Sequence, residues 1–132
     1  MISMSTIFTH QVQFVAPIKT ISEANVMEHW TKRHKRHKQQ LLVLNSFLSK
    51  IPKSYNFPIK IIITRIAPRE LDSDNLTISV KFIRDRLADF LIPNLAKGQA
   101  DSDKRLEWVY NQSKGQPKEY AIKITIIPSR IS

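Results

Sequence analysis

Ile59-Lys60-Ile61-Ile62-Ile63-Thr64-Arg65-Ile66 is a near-continuous run of β-branched, mostly apolar residues closed by Pro68. Such a run marks a central strand covered on both faces. Upstream, Phe8, Val12 and Phe14 alternate with Thr9, Gln11 and Gln13, the period-two pattern of a half-buried strand that Pro17 ends. His10 falls on the apolar side of that strand and reads as a core histidine. Ser22, with Glu23 behind it, reads as the N-cap of a helix running to about Ser49, whose second half carries Leu41, Leu42, Leu44, Phe47 and Leu48. Downstream of Pro68 an acidic loop precedes a second helix, from about Asn75 to Phe90, with its apolar stripe at Leu76, Val80, Ile83 and Leu87. Leu106, Trp108 and Tyr110 alternate as a strand, Ser113–Pro117 is a turn, and Tyr120, Ile122, Ile124 and Ile126 alternate as the last strand, so these two strands read as a hairpin. The expected order is β-α-β-α-β-β: one α/β (α+β) domain over residues 1–132, with a small four-stranded mixed sheet and two main helices.

The charge is distributed unevenly along this frame. The formal net charge is +10, yet all six aspartates fall between Asp72 and Asp103. Residues 1–65 hold ten Lys/Arg against Glu23 and Glu28, while residues 66–132 hold eleven against nine acids. A basic surface attracts polyanions, nucleic acid first among them. Carboxylates set within such a surface repel the same polyanion unless a divalent cation stands between them, which points to metal-dependent chemistry on phosphodiesters. Without cysteine the chain has no disulfide, thiolate nucleophile or Cys-based zinc site. No apolar stretch approaches the roughly 20 residues that span a bilayer, and Thr9, His10, Gln11 and Gln13 interrupt any apolar leader. The chain reads as soluble and cytoplasmic, with no membrane partner.

The aspartates come as Asp72-Ser73-Asp74 and Asp101-Ser102-Asp103. The first pair follows the carboxyl end of the apolar strand, where active sites of α/β sheets tend to lie, and Asp74 is placed to cap the next helix. Mg²⁺ takes hard oxygen ligands, usually one or two carboxylates with water or substrate phosphate as the rest. Two aspartates of one loop, joined by Asp101 or Asp103 of the other, meet that need. Taken alone, Asp-x-Asp is more often a turn-and-cap pattern than a metal site. An EF-hand does not fit, because Leu76, Thr77 and Ile83 occupy its ligand, glycine and glutamate positions. Lys81 lies seven residues past Asp74, about 20° off the same helix face, within reach of a phosphate; its plainer reading is an i,i+4 pair with Asp85. Asp85 and Asp89 read as solvated or salt-bridged.

Lys32-Arg33-His34-Lys35-Arg36-His37-Lys38 places five permanent charges in seven residues. On a helix they spread around all faces, so the segment reads as solvent-exposed and available to phosphates. Contact of Lys32, Arg33, Lys35, Arg36 and Lys38 with a DNA backbone is favoured over a merely solubilising turn. His34 and His37 have zinc-compatible spacing but stand among cations that repel a metal. Trp108 and Tyr110 share a face with Leu106 and read as core or subunit contacts before base-stacking platforms.

Asp72-Ser73-Asp74-Asn75-Leu76, then Lys81 with Asp85 four residues on, then Ala100-Asp101-Ser102-Asp103 ahead of a strand, resemble the RusA-type Holliday junction resolvases. That family carries a D-x-D-N-L motif, a K-x-x-x-D helix and an acidic pair before a strand. The resemblance extends to RusA-like endodeoxyribonucleases of phages and prophages through Lys81-Phe82-Ile83-Arg84-Asp85 and through Arg105, Trp108, Tyr110, Gln112, Lys114 and Gly115, with Asn25 as an N-terminal echo. It implies that Asp72, Asp74 and Asp101 bind Mg²⁺ or Mn²⁺, with Asp103 as alternate ligand, and that Lys81 assists catalysis. It further implies a homodimer that nicks opposite strands of a four-way DNA junction during recombination and repair. The competing expectation is a nucleic-acid-binding module of phage origin that keeps the fold without the chemistry, its aspartates serving as caps.

Overall fold

The computed structural model describes residues 7–21, 30–93 and 100–129. Within them the chain forms β1 (Val12–Ala16), α1 (Trp30–Leu48), β2 (Ile59–Ala67), α2 (Ser73–Ser79), α3 (Lys81–Leu91), a 3₁₀ turn (Ala100–Ser102), β3 (Leu106–Lys114) and β4 (Ala121–Pro128). The four strands make one mixed sheet in the order β1-β4-β2-β3. β2 runs parallel to β3 and antiparallel to β4, and β4 is antiparallel to β1. This is the expected β-α-β-α-β-β order. The proposed cap at Ser22, and Glu23 and Asn25 with it, lie outside the described residues.

The isoleucine run does take the centre of the sheet, and this has displaced the expected hairpin. β2 recruits β3 on one edge and β4 on the other, so β3 and β4 are not neighbours. The 115–120 connection crosses the end of β2 instead, and Gly115 N donates to Ala67 O at 2.8 Å. A Cβ at position 115 would meet Glu119 Oε1 at 2.8 Å and Ile66 Cγ2 at 3.2 Å, so a larger residue at this tight crossing requires the Glu119 side chain to move and Ile66 to give slightly. Beyond it Lys118 adopts positive φ, and the Glu119 carboxylate accepts from Gln116 N.

Coverage of β2 is complete on one face only. Ile59, Ile61, Ile63, Arg65 and Ala67 are buried, whereas Ile62, Thr64 and Ile66 are half-buried and Lys60 is exposed. The buried side joins Ile122, Ile124 and Ile126 of β4, Leu44 and Leu48 of α1, and Ile83 and Leu87 of α3 in a single core. Phe47 stacks on Phe14 of β1 at 5.3 Å between ring centroids. His10 is exposed, edge-on to Phe8, and does not enter the core: β1 begins two residues later, so the alternation that placed His10 inside has not started there. Arg65 is buried but donates to Thr20 Oγ1 (3.0 Å), Thr20 O (3.3 Å) and Arg69 O (2.7 Å), which satisfies its fork with neutral oxygens. Among the described residues no helix is long and apolar enough to cross a membrane.

The helical segment after β2 is two helices, not one. Val80 leaves the helical region at φ −111°, ψ 9°, and α3 restarts at Lys81, with Ile83 N and Arg84 N both donating to Val80 O. The β-branched residues Thr77, Ile78 and Val80 resist a regular helix, and the Ser79 hydroxyl bonds back to Leu76 O. The break keeps Leu76 and Val80 buried while α3 turns Ile83, Leu87, Ala88 and Leu91 inward. Leu87 is 0% exposed, and Leu87→Ala is expected to lower unfolding stability by about 2–5 kcal/mol. Urea denaturation checks this, with an unchanged slope showing that the fold persists.

Candidate functional site

The loop that carries the first acidic pair is fastened from two sides. Arg65 holds Arg69 O, as above. Further on, Gln112 of β3 clamps Leu71 with both ends of its amide: Oε1 accepts from Leu71 N and Nε2 donates to Leu71 O, each at 2.7 Å. The next residue, Asp72, is the N-cap of α2 in extended backbone. Its Oδ1 accepts from Asn75 N at 2.9 Å and its Oδ2 from Asn75 Nδ2 at 3.1 Å. The cap is therefore Asp72, and Asp74, expected in that role, lies exposed in the first turn. The Asp-Ser-Asp-Asn order explains the shift, since Asn75 answers the carboxylate three residues before it with backbone and side chain together.

Lys81 opens α3, so the helical break removes the shared face with Asp74 on which its placement rested. Its ammonium stands 3.4 Å from Asp85 Oδ1, with side chains 64% and 44% exposed. A pair this exposed contributes a few tenths of a kcal/mol at most.

The second acidic pair sits in the turn that leads into β3, and each carboxylate there has an arginine. Arg84 of α3 places Nε 3.5 Å from Asp101 Oδ2, donates from Nη2 to Asp101 O at 2.9 Å and from Nη1 to Tyr110 OH at 2.6 Å, and lies over the Trp108 ring at 4.9 Å. Trp108 Nε1 also donates to Asp101 O, at 2.9 Å. Asp103 accepts from Arg105 through its backbone N (2.9 Å), Nε (3.0 Å) and Nη2 (3.0 Å). Those bonds, the side-chain ones foremost, hold the Asp103 carboxyl down to about 2. Trp108 and Tyr110 are half-buried against the core and serve as the seat for this turn.

The parallel register fixes how the two pairs relate. Ile59 faces Leu106 and Ala67 faces Lys114, so Asp103 precedes the strand pair at one end and Asp72 follows it at the other. On β3 the Asp72 loop docks at Gln112 and the Asp101 turn at Trp108, four residues or about 13 Å along the strand. Asp72 and Asp74 share one junction, and Asp101 and Asp103 another. Among the described residues no three His, Asp or Glu side chains gather as a metal-ligand group.

The basic run is more ordered than its composition suggests. Lys32, Lys35 and Lys38 are exposed, within about 120° of arc on the outer side of α1 at 100° per residue, and Leu42 lies among them, 64% exposed. Arg33 and Arg36 are half-buried and turn toward the body. The cations therefore divide between a lysine stripe and two inward arginines, because Leu44 and Leu48 fix the buried side of the helix. His37 stacks on Phe82 of α3 at 4.3 Å and 10°, a packing role and not a metal-binding one.

Sequence reasoning missed Arg84, Arg105 and Gln112 as partners of the acidic loops. Gln112 carried a faint signal, since it continues the Leu106, Trp108, Tyr110 alternation. Compared with known protein families, with curated proteins and with solved structures, the chain matches none.

The depressed Asp103 value carries a sign. Its contribution to stability is in place above the ordinary carboxylate value of 3.8 and disappears as pH falls from there toward about 2. Carboxyl-detected NMR titration is expected to find Asp103 half-protonated near 2, and Arg105→Gln to return it toward 3.8.

Proposed function

We propose that this chain is a Mg²⁺-dependent endodeoxyribonuclease that acts as a homodimer on four-way DNA junctions in recombination and repair, in the cytoplasm. The reading rests on one observation above the others: an Asp72-Ser73-Asp74-Asn75 turn clamped rigidly at the carboxyl end of the central strand. Both carboxylates are exposed there, within a chain of net charge +10. Two exposed carboxylates on a fixed turn suit Mg²⁺, which takes one or two carboxylates and fills its remaining positions with water and substrate phosphate. Asp72 and Asp74 would hold the ion; Asp101 and Asp103 join it only by exchanging an arginine for it. When bound, the ion supplies charge neutralisation at the phosphoryl oxygens and a more acidic water.

The chain's own residues do the rest. Gln112 and Asn75 fix the turn and the Asp72 carboxylate, so that Asp72 is ordered before the reaction. Lys81, at the start of α3, offers a flexible ammonium to the phosphate. The lysine stripe on α1 binds the backbone without reading sequence. Two symmetric cuts across a four-fold branched substrate call for two such sites related by a two-fold axis.

A second reading is favoured by the arginines on Asp101 and Asp103: a module that binds nucleic acid without cutting it. Calorimetry with Mn²⁺ separates the two, since caps and arginine-paired carboxylates alone give no saturable heat. A synthetic four-way junction and a linear duplex incubated with Mg²⁺ test the activity itself. The junction is expected to be cut and the duplex spared, and Asp74→Asn to lose at least about 100-fold in rate, the equivalent of a few kcal/mol of transition-state stabilisation. Equal cutting by that variant removes the assigned site.

Joint replacement of Lys32, Lys35 and Lys38 by Ala is expected to flatten the log–log salt dependence of junction binding by roughly two to three, close to one per lost phosphate contact. An unchanged slope moves the backbone contact off α1.

A further inference from the structure

A cleft of about 980 Å³ opens between the last turns of α1, the 53–57 loop and the second half of α3. It lies away from both acidic pairs and lacks an assigned role. We infer that it receives one unpaired nucleotide, the base in its apolar part and the phosphate against Lys53 and Arg86; the inference rests on the reading of the chain as a DNA-binding protein.

Its volume is that of a small-molecule site, for which about 300–1,000 Å³ is usual. Leu48, Phe57, Phe90 and Leu91 supply apolar and aromatic wall, the kind of surface on which bases stack with little regard to sequence. Asn45 and Asn56 also line it; Asn45 Oδ1 accepts from Arg86 and Asn56 Nδ2 donates to Ser129 O, which among the described residues leaves Asn45 Nδ2 to donate and Asn56 Oδ1 to accept toward a base edge. Arg86 is held in place by its Nε donating to Asn45 Oδ1 at 2.7 Å, and Lys53 is exposed at the same cleft. Two cations against the single Asp89 leave the cleft suited to an anionic group.

Tyr55 adds an independent sign. It contributes to the lining, is only 3% exposed, and among the described residues its buried hydroxyl has no hydrogen-bond partner. Buried hydroxyls with no partner are rare in native proteins, and a water or a ligand group at the cleft lining would supply one. Burial pushes this phenol up to about 12, so it remains a donor at neutral pH.

The cleft also continues the lysine stripe. Asn45 lies seven residues beyond Lys38 on α1, about 10 Å along the helix. A strand whose phosphates follow Lys32, Lys35 and Lys38 brings its next nucleotides to the cleft mouth. The strand exchange of a four-way junction breaks the continuous stacking that an intact duplex keeps.

The test uses the full chain with dAMP and dCMP as probes, read by ¹H–¹⁵N NMR, and deoxyribose 5-phosphate as the control lacking a base. Saturable shifts are expected at the amides of 45–57 and 86–91 with the nucleotides and not with the sugar phosphate. Lys53→Ala is expected to weaken binding about tenfold, the loss of one charge-assisted contact, and Ser49→Trp, on the exposed rim, to abolish it by filling the cleft. In a second arm, 2-aminopurine at the crossover of a junction is expected to change its fluorescence on binding, and Ser49→Trp to remove that change. A response from mononucleotides but not from the junction supports the pocket and assigns it to free nucleotides. Absence of saturable shifts, or shifts indifferent to Ser49→Trp, overturns the inference. Junction cutting and its dependence on Asp74 are measured separately, so that result leaves the nuclease reading standing.

Discussion

β2 offers hydrogen-bonding edges on both sides, and the partners it accepts determine where every other element goes. Taking β3 as a parallel neighbour obliges the chain to return to the starting end of β2 before β3 can begin. α2 and α3 make that return. Taking β4 on the opposite edge then forces the 115–120 connection across the strand end, where Gly115 packs closely against Ile66 and Glu119. The separation of the two acidic pairs follows from the same choice. One ends up just after the parallel strand pair and the other just before it.

Charge is managed locally within this frame. Arg84 answers Asp101, Arg105 answers Asp103, and Lys81 answers Asp85. Among the described residues Asp72 has no cation and is met by Asn75 instead. Excess positive charge collects on α1, whose described length contains no acid at all. The molecule therefore separates a cationic outer helix from a turn whose Asp72 carboxylate is met by the neutral Asn75, and these are the two ingredients of the proposed activity.

Much of the frame was legible in the residues. The isoleucine run gave β2, the alternation Ile122, Ile124, Ile126 gave β4, and the order of helices and strands followed from Pro17, Pro52 and Pro68. Pairing was not legible, because period-two alternation describes a strand's faces and says nothing of its neighbours. The hairpin expected for β3 and β4 failed on that point. Val80 defeated the helix reading in a similar way, since the stripe Leu76, Val80, Ile83 keeps its spacing across the break. At the site, Asp72 and Asp74 were singled out correctly as a turn-and-helix junction, but which of them caps depended on Asn75. Partners far apart in the chain, such as Gln112 with Leu71 and Arg84 with Asp101, leave no local pattern to read.

The Gln112 clamp on Leu71 differs in kind from the attachments of the other acidic turn. It joins an amide to a peptide group, carries no net charge, and is indifferent to ionic strength. The Asp101 and Asp103 turn is secured in part by ion pairs, which mobile counterions weaken as salt rises. Concentrated electrolyte thus loosens one end of β3 and spares the other. Trp108 and Tyr110 lie at the loosened end, and their emission would report the change.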